Sequence, residues 1–123
     1  MGIQTKRAYD PVGDSDGYRV LVDGMWPRGI KREDLALDDW WRDVAPSAPL
    51  RRWFAHRHER WPEFARRYRH ELQSHEPRIR ELAARAASET VTLIFASRDR
   101  ECNNAVVIRD LVSERLACGD GSA

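Results

Sequence analysis

The sequence predicts an α/β fold, a single layered domain with a small, mainly parallel sheet flanked by helices. Two apolar runs, at residues 20–22 and 91–96, have the nearly continuous hydrophobicity of strands covered on both faces. Apolar residues elsewhere recur every three or four positions, which is typical of amphipathic helices. Because strands and helical stretches alternate, a layered α/β arrangement is favoured. A chain of 123 residues has room for one hydrophobic core.

The amino-terminal part of the chain supplies two strands. Residues 3–8 have weak strand character, which ends before Pro11 because proline disfavours a helical conformation in the preceding residue. Residues 12–17 are rich in glycine and aspartate and predict a loop. The second strand spans residues 18–23, and a tight loop containing proline and glycine follows at residues 24–29.

The middle of the chain predicts four helical segments. The first runs over residues 32–44, and Ser47 before a proline is typical of the N-cap of a helix from residue 49 to about 58. The others cover residues 61–74 and 79–88, with Pro77 between them. Their expected inward residues are Leu35, Trp40, Val44, Trp61, Phe64, Tyr68, Leu72, Ile79, Leu82, Ala83 and Ala86.

The carboxyl-terminal part repeats the pattern of a strand followed by a helix. The strand at residues 91–96 leads through a polar loop to a helix that begins near Asn103. Residues 1–117 are expected to form the single domain, and residues 118–123 a flexible tail.

Composition and charge restrict the possible partners and the compartment. Twenty-one basic and 20 acidic side chains give a formal charge of +1, so no global charge favours a nucleic acid or a membrane. No apolar run is long enough to cross a bilayer, and no secretory segment is visible at the amino terminus. Two isolated cysteines do not make a disulfide framework. We therefore expect a cytoplasmic protein without a membrane partner, and the oligomeric state stays open.

Polar residues follow the two apolar strands, at the edge where parallel α/β sheets bind ligands. Arginines near the start of a helix favour an anion such as a phosphate or a carboxylate, so a small anionic ligand is the expected partner. The candidate acid/base groups are Asp23 and Asp99. The candidate ligand-binding residues are Trp26, Arg28, Arg51, Trp53, His56, Arg98, Asn103 and Asn104. In the alternative interpretation, the two aspartates only cap turns and pair with arginines.

An arginine-rich run at residues 51–70 offers a second hypothesis, a nucleic-acid-binding module. Its aromatic residues have core spacing, however, and the acidic residues 33–43 could neutralise the arginines. A solvated or internally paired face is the favoured interpretation. A third hypothesis is a protein-interaction domain that uses exposed tryptophans, namely Trp26, Trp41 or Trp53.

Neither a metal ion nor another cofactor is predicted. His56 and His58 are two residues apart, which places them on different faces of a helix, and the other histidines lack a companion at helical spacing. Cys102 lies close to Arg98 and Arg100, an environment that could lower the pKa of its thiol. An inert thiol is the more common outcome for such a residue.

Several short motifs carry a resemblance to a known family. They are KRAYD at 6–10, DGYRVLVD at 16–23, WPRG at 26–29, APS at 45–47 and LRRWF at 50–54, followed by His56, Trp61, Phe64, Tyr68, Asn103 and Ala105. In this respect the chain resembles, over residues 6–116, the bacterial domain-of-unknown-function family 488 in its short YeaO-like branch. The resemblance implies an α/β domain without an established reaction, so the question of whether the chain is an enzyme stays open.

The chain departs from the pattern of this family at three positions. Gly24 stands where the family usually has arginine, a group that Arg19 or Arg98 could replace. Asn104 stands where the branch often has histidine. Asn103 stands where more distant members carry cysteine, and the neighbouring Cys102 should not inherit that role. The departures argue against cysteine or histidine chemistry.

Overall fold

The computed structural model describes residues 2–118. Its strands are β1 (Gly2–Arg7), β2 (Tyr18–Leu21), β3 (Asp39–Trp40) and β4 (Thr90–Phe95). Its helices are α1 (Arg32–Leu35), α2 (Ala48–Phe54), α3 (Trp61–Leu72), α4 (Glu76–Ser88) and α5 (Asn104–Ala117). Short 3-10 turns cover Asp14–Asp16, Arg42–Val44, His58–Arg60 and Gln73–His75. The expected flexible tail lies outside the described residues except for Cys118.

The sheet is parallel throughout, with the strand order β1-β4-β2-β3. This arrangement confirms the predicted α/β fold. β4 lies between β1 and β2, and Leu21 of β2 is paired with Ile94 of β4. The carboxyl ends of these two central strands are therefore neighbours, and the polar residues after them meet at one edge of the sheet.

Both faces of the sheet are covered, as the apolar runs predict. Val20 and Leu93 contribute to the larger core, which contains residues from α2, α3, α4 and α5. Leu21 and Ile94 point to the opposite face and pack with Leu35 and with residues of the segment after β2. Val20, Leu21 and Ile94 are fully buried. Burial of this much aliphatic and aromatic surface is the main stabilising contribution to the fold.

The predicted helix over residues 32–44 is wrong. α1 ends at Leu35, because Ala36 adopts a left-handed conformation with φ 51°. β3 then forms by pairing with β2, and hydrogen bonds between strands replace those of a helix. Trp41 is consequently buried, with 1% exposure, and is not available as an exposed interaction residue, whereas Trp40 is only half-buried.

The remaining helices follow the predicted order with shifted ends. The Ser47 hydroxyl accepts a hydrogen bond from the Leu50 N–H, which confirms the predicted N-cap of α2. α2 ends at Phe54 instead of continuing to residue 58, since Ala55 and His56 both have positive φ. Pro77 lies in the first turn of α4, where its missing N–H costs nothing. None of the helices within residues 2–118 has the length and apolar character required to cross a membrane.

Candidate functional site

A cavity of about 590 Å³ lies beyond the carboxyl ends of β2 and β4. The loop after β2 forms one wall, the end of α2 forms the second, and the segment between β4 and α5 forms the third. Its lining residues include Tyr9, Asp23, Gly24, Met25, Trp26, Arg28, Arg51, Phe54, His56, Phe64, Ser97, Cys102 and Asn104. The position agrees with the usual location of ligand sites in parallel α/β sheets.

Asp23 is the acidic group of the cavity. The strand register brings it beside Ala96, whose N–H donates a hydrogen bond of 2.9 Å to Oδ2 of Asp23. Oδ1 accepts a second bond of 3.0 Å from Nδ2 of Asn104, which also donates to the Val22 carbonyl. Burial raises the pKa of Asp23 above its ordinary value, although these hydrogen bonds and the charge of Arg51 act in the opposite direction. Asp23 therefore holds its proton more strongly than an exposed aspartate does.

Two arginines supply the positive charge of the cavity. Arg28 lies on the loop after β2, and the Tyr9 hydroxyl donates a hydrogen bond of 3.0 Å to its carbonyl. Arg51 lies on α2 and interacts electrostatically with Asp23. Within residues 2–118, neither guanidinium group forms an ion pair or a hydrogen bond with another side chain. Both groups are exposed and available to an anion.

Aromatic side chains hold the walls of the cavity in place. Trp26 makes an edge-to-face contact with Trp40, with ring centroids 5.4 Å apart. The indole N–H of Trp40 donates to the Asp23 carbonyl at 2.7 Å, which ties the loop after β2 to β3. On the opposite wall Phe54 stacks on Phe64 with centroids 4.4 Å apart. The cavity thus combines apolar walls with a few polar groups, which is typical of small-molecule sites.

His56 lies at the cavity in a strained backbone conformation. Its φ is 57°, and the preceding Ala55 has φ 47°, so two consecutive residues with side chains are left-handed. Such residues cost about 1–3 kcal/mol each and cluster at functional sites. The turn ends α2 and brings the imidazole to the cavity lining.

Four of the predicted site residues lie outside the cavity lining. The Trp53 ring is covered by the guanidinium groups of Arg60 and Arg67, at 5.2 and 4.4 Å from its centroid. Asn103 caps α5, because its side-chain oxygen accepts from the Val106 N–H at 3.0 Å. Arg98 borders a separate, smaller depression. The other six predicted residues, Asp23, Trp26, Arg28, Arg51, His56 and Asn104, all line the cavity.

Asp99 is the fourth residue outside the cavity lining. Its Oδ1 accepts hydrogen bonds from the N–H groups of Cys102 and Glu101, at 2.9 and 3.0 Å. Its Oδ2 lies 2.6 Å from Nε2 of His58. The two backbone bonds, from Cys102 and then Glu101, are the main reasons that the pKa of Asp99 lies below its ordinary value. This carboxylate organises its own turn, as the turn-capping interpretation of the sequence expects.

Cys102 was not among the predicted site residues but lines the cavity. Burial raises the pKa of its thiol, and the negative charges of Asp99 and Glu101 add to this effect. The raised pKa agrees with the favoured interpretation of an inert thiol; Arg100, which could have lowered it, instead forms a two-pronged ion pair with Asp10 at 2.8 Å. Phe54 and Phe64 were also missed as site residues: the spacing of Phe64 marks it only as core, and Phe54 appeared only within the LRRWF motif. Tyr9 also lines the cavity, and the KRAYD motif was the sequence signal that could have indicated it as a site residue.

Arg19 does not replace the arginine that the family usually carries at position 24. Its guanidinium lies 2.6 Å from Asp16 and also donates to the Leu35 carbonyl at 2.8 Å. Arg19 is only 4% exposed, and these partners inside the protein occupy its guanidinium group. Gly24 itself has room for a side chain, because an added Cβ would only touch Ala45 at 3.6 Å.

The arginine-rich run at residues 51–70 is mostly paired within the protein. Arg66 and Arg67 bind Glu63, and Arg69 binds Glu114. The acidic segment 33–43 does not neutralise these arginines as the sequence suggested; its only ion pair among the described residues joins Asp43 to Arg78. The pairing of these arginines agrees with the favoured interpretation of an internally paired face.

Comparison with known proteins gives consistent matches over nearly the whole sequence. The family described as the inactive DUF488-N3 subclade matches residues 2–123. The chain is 44% identical to the uncharacterized protein YeaO of Escherichia coli (strain K12) over 110 residues, which cover 89% of this chain and 96% of that protein. It is 38% identical over 113 residues to the uncharacterized protein Rv3073c of Mycobacterium tuberculosis (strain ATCC 25618 / H37Rv), which covers 92% and 95% of the two chains. No solved structure shows a significant match. With a family match of this length, the chain belongs to the DUF488 family, in the subclade described as inactive DUF488-N3.

Proposed function

We propose that this protein binds a small anionic ligand, phosphorylated or carboxylated, in the cavity beyond β2 and β4. The observation that carries the proposal is that two guanidinium groups, of Arg28 and Arg51, line one cavity without an ion pair to any residue in the range 2–118. Arginine binds carboxylate and phosphate groups through paired hydrogen bonds of favourable geometry. The two groups lie on different walls of the cavity, one on the loop after β2 and one on α2.

The rest of the lining limits the class of ligand. Trp26, Phe54 and Phe64 provide apolar surface for a planar or apolar body. Asp23 and Asn104 provide a polar floor that can accept or donate hydrogen bonds. A volume of about 590 Å³ lies in the range of ordinary small-molecule sites. The favoured ligand is therefore a small molecule with one anionic end and a planar or apolar body.

Binding without chemical conversion is the favoured form of this function. The subclade is described as inactive. The Asn104 amide cannot transfer protons at physiological pH. Burial raises the pKa of the Cys102 thiol, and the negative charges of Asp99 and Glu101 raise it further, which disfavours a thiolate nucleophile. Asp23 is the one lining carboxyl group whose raised pKa suits general acid/base work, so it would carry any residual catalysis.

The test is a ligand screen by thermal unfolding, with affinities then measured by calorimetry. The screen uses small phosphate and carboxylate compounds with and without a planar body, and a bound ligand raises Tm by mass action. Arg51→Gln is expected to weaken binding about 10- to 100-fold, since a charge-assisted hydrogen bond contributes about 1.5–3 kcal/mol. Arg52→Gln is the matched control, because Arg52 is exposed on the same helix but does not line the cavity.

Two results would contradict the proposal. One is equal loss of affinity in the Arg51 and Arg52 variants, which would indicate a diffuse charge effect. The other is the absence of any Tm increase with every compound at millimolar concentration. A steep fall of binding with added salt for oligonucleotides, with no small-molecule binding, would instead support the nucleic-acid hypothesis.

A further inference from the structure

We propose that His58, Asp99 and Cys102 form a binding site for a thiophilic divalent cation such as Zn²⁺, at the edge of the cavity. The site does not depend on the proposed anionic ligand. His58 lies in the 3-10 turn before α3, while the other two residues lie between β4 and α5. The fold thus brings together groups that are far apart in the sequence.

The distances between the three ligand atoms suit a metal site whose side chains adjust slightly when the ion binds. One ligand atom of each residue lies within 4.8 Å of those of the other two. In a tetrahedral zinc site with bonds of about 2.0–2.3 Å, neighbouring ligand atoms are about 3.3–3.7 Å apart. His58 and Asp99, now 2.6 Å apart, must separate slightly to reach this spacing. Shifts of about 1 Å suffice, and the imidazole is free to make them because the His58 side chain is 72% exposed.

One of the three ligands, the Asp99 carboxylate, is already held in place by the backbone of the turn that also contains Cys102. The Asp99 carboxylate is oriented through Oδ1 by the N–H groups of Glu101 and Cys102, which leaves Oδ2 to face His58. Nδ2 of Asn103 donates to the Asp99 carbonyl at 2.8 Å and fixes the same turn. Hydrogen bonds of this kind orient ligands in known metal sites.

The donor set selects the class of cation. One sulfur, one imidazole nitrogen and one carboxylate oxygen match Zn²⁺ and similar borderline ions, whereas Mg²⁺ and Ca²⁺ prefer oxygen ligands only. Three protein ligands leave a fourth position for water or another molecule. Because Cys102 also lines the cavity, the cation would lie next to the space assigned to the anionic ligand.

The test is a titration of the chelator-treated full-length protein with Co²⁺, without any anionic ligand. A thiolate bound to Co²⁺ gives an intense charge-transfer absorption in the near ultraviolet, and we expect it to saturate at one ion per chain. Zn²⁺ should displace the band, and excess Mg²⁺ should not. Cys102→Ser should abolish the band, and His58→Ala should weaken Co²⁺ binding by more than about tenfold, the lower limit found for outer-shell changes.

Matched controls use the exposed thiol and a histidine elsewhere. Cys118→Ser and His70→Ala should retain both the band and the affinity. Far-ultraviolet circular dichroism verifies that each variant is folded. The proposal is overturned if the wild-type protein gives no band with one equivalent of Co²⁺, or if the band survives in Cys102→Ser. Because no anion is present, failure of the anion-binding proposal leaves this result unchanged.

Discussion

Asp23, the acidic group of the cavity, makes a contribution to stability that depends on pH. Burial raises its pKa, and neither the Ala96 and Asn104 hydrogen bonds nor the charge of Arg51 restores the ordinary value. Above the ordinary aspartate pKa of about 4, the unfolded chain has lost this proton while the folded protein still retains it. The contribution of Asp23 to stability is therefore complete below the unfolded pKa and is lost as the pH rises through the folded pKa.

Replacing Asp23 with asparagine should remove this loss. We expect the free energy of unfolding of Asp23→Asn, relative to the wild type, to rise between pH 4 and pH 7, because the wild type alone loses this contribution as the pH increases. Urea unfolding at each pH measures the trend. The altered hydrogen bond with Asn104 is a nearly constant offset and does not change the slope. Asp34→Asn, on the exposed side of α1, is the control. A flat or falling trend for Asp23→Asn would refute the expectation.

At the scale of elements, the end of α2 determines where the second wall of the cavity lies. The N–H of Ala55 donates to the Arg51 carbonyl at 3.0 Å and closes the helix with a left-handed residue. A glycine usually occupies such a position, since it adopts this conformation without a steric penalty. The chain uses alanine there and histidine next, so the turn that presents His56 is strained.

Ala55→Gly should consequently stabilise the protein by about 0.5 kcal/mol. Relief of a left-handed alanine contributes about 1 kcal/mol or more, and the larger entropy of glycine in the unfolded chain removes part of it. Ala84→Gly is the matched control, because Ala84 is exposed within α4 and the same change should destabilise by about 1 kcal/mol. Urea unfolding compares both variants with the wild type. If both are destabilised equally, Ala55 is not strained.

The comparison between sequence and structure separates local signals from long-range ones. The buried strands and the helices from α2 to α5 were predictable, since apolar periodicity reflects which face each segment buries. β3 was not, because its two residues form a strand only by pairing with Val20 and Leu21. Its formation also explains why Trp41, and not Trp40, is buried.

The residues of the candidate site also divide into those that sequence signals indicate and those whose position depends on long-range packing. Asp23 and Asn104 were predictable because they follow adjacent parallel strands, whose ends must meet. The role of Asp99 was not, since it depends on which backbone N–H groups its own turn presents. The approach of His58 to Cys102 depends on the packing of two loops that are far apart in the sequence, and no spacing rule could indicate it.

At the scale of the whole molecule, a buried ionic network joins the sheet to the segment that covers its second face. Asp16, which is 2% exposed, binds Lys6 of β1 at 3.0 Å and Arg19 of β2 at 2.6 Å. The Thr92 hydroxyl of β4 donates to the Asp16 carbonyl at 2.6 Å. Arg19 in turn donates to the carbonyl groups of Leu35 and Ala36 at the carboxyl end of α1. Asp16 thus links two strands through its carboxylate and a third through its backbone carbonyl, and Arg19 extends the network to the covering segment.

Removing this carboxylate should destabilise the fold in a pH-dependent way. Asp16→Asn leaves Arg19 buried without its counter-charge, and such losses cost about 3–5 kcal/mol. Burial acts to raise the pKa of Asp16, but hydrogen bonds from Gly13, Lys6 and Arg19 bring it below the ordinary value. Its contribution is therefore present above the unfolded pKa and is lost as the pH falls through the folded pKa. Urea unfolding should show a gap between wild type and variant that is large at pH 7 and shrinks below about pH 4.

The exposed neighbour Asp14 provides the control for this network. Asp14 lies in the same 3-10 turn, so Asp14→Asn changes the same formal charge without touching Lys6 or Arg19. We expect its effect to stay within about 0.5 kcal/mol, as for other surface substitutions. If Asp16→Asn is equally mild, or if its gap from the wild type is the same at pH 3 and pH 7, the network does not stabilise the sheet through charge. A large, acid-sensitive gap would instead locate a main determinant of acid stability on the face of the sheet opposite the larger core.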